Sequence, residues 1–258
     1  MTFLSLDQIT HHYFSKQGFT KAIEDISLSV EEGHFISFLG PSGCGKTTLL
    51  SIIAGLLTPT EGTVTIQQQP SDHNNIGYML QQDYLFPWKT IQENVLLGPH
   101  IQGTVTEMKK EKALQILKEI GLESVISSYP SQLSGGMRQR AALARTLMTD
   151  PKLLLLDEPF SALDYQTKLK LENLVSDTLK QYKKTSVLVT HDIGEAIAMS
   201  DTVYVLKARP GRIAKTFQVP DHLRNLTPFE ARQHADFNDL FQTIWKELDQ
   251  LESESNAR

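Results

Sequence analysis

Phe35-Ile36-Ser37-Phe38-Leu39-Gly40-Pro41-Ser42-Gly43-Cys44-Gly45-Lys46-Thr47 is an apolar run that enters a complete G-x-x-x-x-G-K-[ST] pattern. Leu49, Ile52 and Ile53 follow at core spacing and Gly55 can cap a helix, so the order reads strand, loop, helix. Glycines let backbone amides turn inward around phosphates. Lys46 is placed to pair with β and γ oxygens, and the Thr47 hydroxyl to ligate Mg²⁺. A plain glycine-rich turn with a surface lysine lacks this strand-and-helix context. Cys44, the single cysteine, reads as a small buried filler and excludes an internal disulfide.

Outward from the loop, Ile26, Leu28 and Val30 alternate with polar residues as a half-buried strand does. Further strands are expected at 62–66, 76–80, 152–156 and 186–189, with a turn-rich loop over 67–75. Helices are expected at 165–182 and 193–199, and 82–149 reads as mainly helical. Within it, Leu114, Ile116, Leu117 and Ile120 mark the core face of an amphipathic helix over 106–121. Short apolar strands alternating with helices indicate a parallel α/β sheet covered on both faces. Leu153-Leu154-Leu155-Leu156-Asp157-Glu158 ends one such strand in two carboxylates, where α/β sheets place their chemistry. Asp157 suits Mg²⁺, although Asp157-Glu158-Pro159 alone would pass for a strand-ending turn. His191 ends another strand, and Asp192 with Glu195 has capping-box spacing for the next helix.

One stretch is surplus to a single phosphate cradle. Leu133-Ser134-Gly135-Gly136-Met137-Arg138-Gln139 puts a serine and two glycines at the start of a helix, where backbone N–H groups bind anions. Ser134 is also a good N-cap, which accounts for the serine but not the heptapeptide. LSGGMRQ, with the motifs above, resembles the signature of ATP-binding cassette (ABC) proteins over nearly the whole chain. The resemblance implies an α/β P-loop NTPase (RecA-like) core, an N-terminal antiparallel β-subdomain and an inserted helical subdomain. It makes 1–258 one ABC ATPase domain: 1–80 and 150–220 as core with β-subdomain, 82–149 as helical subdomain, 221–258 as a C-terminal helical tail. Within that tail, 251–258 reads as polar and frayed.

The resemblance also assigns roles. ATP would be held by Gly40 to Thr48, including Pro41, Ser42 and Gly43, with Mg²⁺ on Thr47, Asp157 and Gln81. Glu158 would be the general base, His191 the γ-phosphate switch, and Gln81 the Q-loop sensor, with Gln82 an alternative by one residue. Tyr13, or else Phe14, would stack on adenine. Ser161-Ala162-Leu163-Asp164 is similar to the D-loop, which crosses to a partner subunit. Ser134, Gly135 and Gly136 would serve the nucleotide of that partner in a head-to-tail homodimer.

The bulk properties narrow the class. With 258 residues and a net charge of −5, no global basic field attracts nucleic acid. No apolar run approaches the roughly 20 residues of a membrane helix, and the N-terminus lacks a signal-peptide pattern. Ser134 follows Lys46 by 88 positions, too few for a long coiled-coil insertion. A stand-alone cassette serving a separate membrane permease is therefore expected, peripheral on the cytoplasmic side of the membrane. An extracellular or periplasmic solute-binding protein would be an indirect partner. Leu85-Phe86-Pro87-Trp88-Lys89-Thr90 and Ala208-Arg209-Pro210-Gly211-Arg212-Ile213 resemble the nitrate, sulfonate and taurine importer group, which includes thiamine-precursor relatives. Trp88 would dock the permease, or else belong to the core. The alternative is a soluble non-transport ABC ATPase that regulates a protein partner.

Overall fold

The computed structural model describes residues 2–15, 18–67, 69–70, 76–161 and 163–256. Two sheets organise them. A six-stranded sheet has the order β10 (Arg212–Gln218), β9 (Thr202–Lys207), β3 (Phe35–Leu39), β8 (Thr185–Thr190), β7 (Leu153–Asp157), β6 (Ile76–Met79). All its neighbours are parallel except β10, which runs antiparallel to β9. A second, antiparallel sheet has the order β2 (Gly18–Glu31), β1 (Thr2–Ser15), β4 (Glu61–Ile66), β5 (Gln69–Pro70).

Side-chain alternation explains why β7 and β8 are apolar throughout. Leu153 and Leu155, with Val187 and Val189, pack toward α1 (Lys46–Ile53) and the antiparallel sheet. Leu154, Leu156 and Leu188 face the opposite layer, built largely from α5 (Gly135–Leu147) and α6 (Tyr165–Gln181). A strand covered on both faces has no polar side, so period-2 patterning disappears. A third cluster joins β9 to α7 (Ile193–Met199) and α10 (Ala235–Asn256).

Residues 82–149 carry α2 (Ile91–Val95), α3 (Leu97–Ile101), α4 (Glu107–Glu119) and α5. In α4 the buried face is Ala113, Ile116 and Leu117, followed by Ile120, while Leu114 points outward at 38% exposure, against the expected pattern. β1, β5, β9 and β10 have no counterpart in the sequence-based expectation. The C-terminus also differs: α10 stays helical to Asn256, with Phe237 and Ile244 buried. Two short helices precede it, α8 (Asp221–Arg224) and α9 (Pro228–Ala231). Of the 67–75 loop, Gln68 and 71–75 lie outside the described residues. Among the described residues, no helix is long and apolar enough to cross a membrane.

Candidate nucleotide site

The phosphate loop joins β3 to α1, at the C-terminal edge of the parallel sheet. Gly45 occupies the N-cap position of α1 at φ 90°, in the left-handed region. A Cβ there would lie 2.4 Å from Ile23 Cγ2, so geometry and space both demand glycine. Lys46 is buried and its Nζ donates to Gly40 O at 2.8 Å and Pro41 O at 3.0 Å. The ammonium is thus folded across the loop mouth on neutral carbonyls, and among the described residues no carboxylate forms an ion pair with it. Cys44 is fully buried, and burial pushes its thiol pKa up, consistent with a filler.

Gly211, in the turn between β9 and β10, braces the loop from behind. It donates to Ala22 O and accepts from Glu24 N, both at 2.9 Å. A Cβ on Gly211 would sit 2.1 Å from Cys44 O.

At the end of β7, Asp157 Oδ1 accepts from Thr47 Oγ1 and Oδ2 from Tyr78 Oη, both at 3.4 Å. Burial, and then the Glu158 charge, hold the Asp157 carboxyl above its ordinary range. Tyr78, beside it, is pushed up to about 12, first by burial and then by Asp157. A carboxylate raised in this way gains most from a cation placed beside it.

Glu158 is held differently. Its backbone is left-handed at φ 44°, pinned by its N–H to Val189 O (2.9 Å) and by Ser161 Oγ donating to its carbonyl (3.0 Å). That places Oε2 3.3 Å from Gln81 Nε2 and 3.3 Å from His191 Nδ1. Residues 81, 158 and 191 thus meet at one oxygen. Gln81 Nε2 also reaches Ser161 Oγ at 3.3 Å, whereas Gln82 makes no such contact and is exposed.

The Q-loop is in turn clasped by α5. Gln139 Nε2 donates to Gln81 O (3.0 Å), Arg138 Nε to Asp83 Oδ2 (3.0 Å), and Arg145 to Asp83 O and Tyr84 O (2.6 and 2.7 Å). Ser134 is the N-cap of α5, accepting from Met137 N at 3.3 Å. It is exposed, and among the described residues no hydrogen bond or ion pair joins 134–139 to the phosphate loop. Within one chain the 134–139 segment and the phosphate loop are thus separate features. Gly136 lies against Thr167, where a Cβ would come within 2.5 Å.

Asp164 caps α6 by accepting from Thr167 N at 3.0 Å, bonds that hold its carboxyl below the usual range. Ala162 lies outside the described residues. Tyr13 stands over α1 with Oη 3.2 Å from Thr48 Oγ1, whereas Phe14 turns to His12 and Phe19. Asp192 caps α7, accepting from Glu195 N at 3.0 Å. The expected reciprocal bond does not form, because the Glu195 carboxylate pairs with Lys168 and Thr190 instead. Tyr78 joins the site without having been expected, while Ser161 and Gln139, quoted within the D-loop-like and signature motifs, contact Gln81 in a way those motifs did not indicate. Gln139, a polar side chain on the buried side of α5, was the one with a readable signal.

The residues fit a magnesium nucleotide. Lys46 offers an ammonium held only on neutral groups among the described residues, and Thr47 and Asp157 offer hard oxygens side by side. The ABC transporter family model matches residues 23–161. The ABC transporter ATP-binding protein YtlC of Bacillus subtilis is 63% identical, covering 98% of each chain. The taurine import ATP-binding protein TauB of Roseobacter denitrificans is 37% identical over 95% of each. Among solved structures, a dimeric ATP-binding cassette in a post-hydrolysis state with ADP and Pi aligns with a TM-score of 0.75 and 34% identity, covering 84% of this chain and 99% of the other. These likenesses agree with the loop, the acidic strand end and the signature helix: the chain belongs to the ABC transporter family, as an ATP-binding, ATP-hydrolysing subunit.

Proposed function

We propose that this subunit drives a solute importer, working as a head-to-tail homodimer on a separate membrane permease. The observation that carries the reading is the double engagement of 81–88. Gln81 touches the Glu158 carboxylate, while a few residues on Tyr84 and Trp88 present aromatic surface to solvent, 59% and 69% exposed. Phe86 packs on Trp88 with ring centroids 5.1 Å apart. An exposed aromatic ledge tied to a catalytic side chain is suited to report partner docking to the active site.

In the chemistry, Lys46 exchanges its Gly40 and Pro41 carbonyls for phosphate oxygens, and the loop amides position the triphosphate. Thr47 and Asp157, with Gln81, would hold Mg²⁺, which supplies positive charge to the β and γ oxygens. Glu158 takes a proton from water as the water oxygen bonds the γ-phosphorus; the bond from phosphorus to the β–γ bridging oxygen breaks and ADP leaves. His191 and Gln81 orient the carboxylate and meet the γ-phosphate. Tyr13 stacks on adenine, a role its place over Thr48 favours over Phe14. Ser134, Gly135 and Gly136 complete the partner's site, with Asp164 at the crossing. The exposed Ser134, away from its own loop, supports this, as does the dimeric state of the solved cassette. The taurine import role in TauB's name favours a small solute of the taurine kind, captured by a solute-binding protein outside the membrane.

The test is Trp88→Ala in a chain co-expressed with its permease. Membrane recruitment and permease-stimulated turnover should fall, with basal turnover kept. Full recruitment and stimulation would overturn the docking assignment.

A further inference from the structure

The C-terminal helices bring together three side chains with no part in ATP chemistry. His222 lies in α8, His234 immediately precedes α10, and Asp236 is in its first turn. His222 Nε2 is 2.7 Å from Asp236 Oδ2, and His234 Nδ1 is 3.9 Å from the same oxygen. The two imidazoles are 4.9 Å apart between centroids. One donor atom from each residue lies within 4.8 Å of the other two. All three side chains are about half-exposed, so packing does not force them together.

The backbones that carry them are fixed. Leu223, next to His222, and Phe237, next to Asp236, are both buried in the cluster under α7 and α10. Arg224 ties α8 to Asp201 and also pairs within the helix with Asp221, and Thr227 closes a capping box on α9. Three ligand side chains on anchored segments therefore lie together at the protein surface, with His234 Nδ1 also accepting from Asp236 N at 3.3 Å.

We propose that His222, His234 and Asp236 form a mononuclear site for a divalent transition metal of the zinc class. Two imidazoles and one carboxylate are a donor set that zinc-like ions favour, with water in the fourth position. Metal–ligand bonds of roughly 2.0–2.2 Å put tetrahedral donors a little over 3 Å apart, inside the observed spread. Mg²⁺ and Ca²⁺ are disfavoured, since they want about six or more oxygen ligands and the cluster offers one carboxylate. The site thus differs in chemistry from the Thr47–Asp157 pair. Its occupancy would cross-link α8 to α10 and hold the C-terminal helix in place.

The experiment titrates nucleotide-free full-length protein with Co²⁺, read by its visible d–d absorption, alongside Zn²⁺-dependent thermal shifts. One equivalent should bind with a four- or five-coordinate spectrum. His234→Ala, His222→Gln and Asp236→Asn should each weaken binding at least about tenfold, the loss that even outer-shell changes cause, and abolish the Zn²⁺ thermal shift. Unchanged metal-free melting of these variants shows that they fold. Absence of stoichiometric binding, or binding that persists equally in the variants, would overturn the site.

Discussion

Gly211→Ala is the sharpest test of how the phosphate loop is held. The new methyl would sit 2.1 Å from Cys44 O and 3.0 Å from Ala22 O, so one side must retreat by about 1 Å to regain van der Waals contact. Gly211 is not free to retreat, because its N–H and C=O are both spent on β2 at 2.9 Å. If the turn yields, two hydrogen bonds at about 0.5–1.5 kcal/mol each are lost. If the loop yields, an overpacking strain of about 1–3 kcal/mol falls on the peptide beside Gly45 and Lys46. The first route appears as lost stability, the second as weaker ATP binding, where about 1.4 kcal/mol is tenfold in Kd. Thermal denaturation and titration with a fluorescent ATP analogue together should recover about 1–3 kcal/mol. A variant within about 0.5 kcal/mol of the parent in both would refute the brace.

Glu158→Gln should keep ATP binding, slow turnover by about 10²–10⁴-fold and trap an ATP-dependent dimer on gel filtration; normal hydrolysis would remove the general-base role. Ser134→Arg should abolish hydrolysis while nucleotide titration of the monomer is unchanged; retained turnover would remove the shared-site argument. A third prediction concerns Glu172, fully buried and paired with Arg232 at 2.6 Å. Burial, with Glu195 adding and Arg232 opposing, pushes its pKa from 4.5 to about 7. The folded chain therefore holds a proton that the unfolded chain has already released. The associated stability is present below about pH 4.5 and lost as pH rises through about 7, with a ceiling of roughly 3 kcal/mol. Melting profiles of the parent and Glu172→Gln should converge or cross between pH 5 and 8, and strictly parallel profiles would sink the assignment.

Linear patterns made the core of the fold and much of the site readable. β3, the loop and α1 are contiguous, and the β7 leucines run directly into Asp157 and Glu158. What stayed hidden depended on distant pairing or on broken periodicity. β1 buries Leu4 and Leu6 and then Ile9, because a bulge at Gln8, with φ 49°, shifts the register and destroys alternation. β10 is an edge strand without a buried residue, so hydrophobic pattern cannot mark it. Tyr78 reaches Asp157 across 79 positions, and Gln81 reaches Ser161 across 80. No local spacing encodes such contacts. Glu195 shows the limit of local rules: its spacing from Asp192 suits a capping box, yet the Lys168 ammonium draws its carboxylate away.

The bonds around 81–84 bear on how ATP state and partner docking are linked. Gln139, Arg138 and Arg145 all lie on α5, whose N-terminus is Ser134, and they grip the main chain and Asp83 of the Q-loop. The signature helix and the Q-loop are therefore one mechanical unit. Gln81 ties that unit to the end of β7 through Glu158 Oε2 and Ser161 Oγ, both at 3.3 Å. A helical unit held together by several bonds and packed on the sheet can shift as a body by small sliding when those contacts change. Under the proposed homodimer and docking arrangement, loss of the γ-phosphate would alter what Glu158 and Gln81 share, and a turn of this unit would move Ser134 relative to the partner's nucleotide and Trp88 relative to the permease together. Coupling between the two events requires no further relay, since both residues are carried by the same unit.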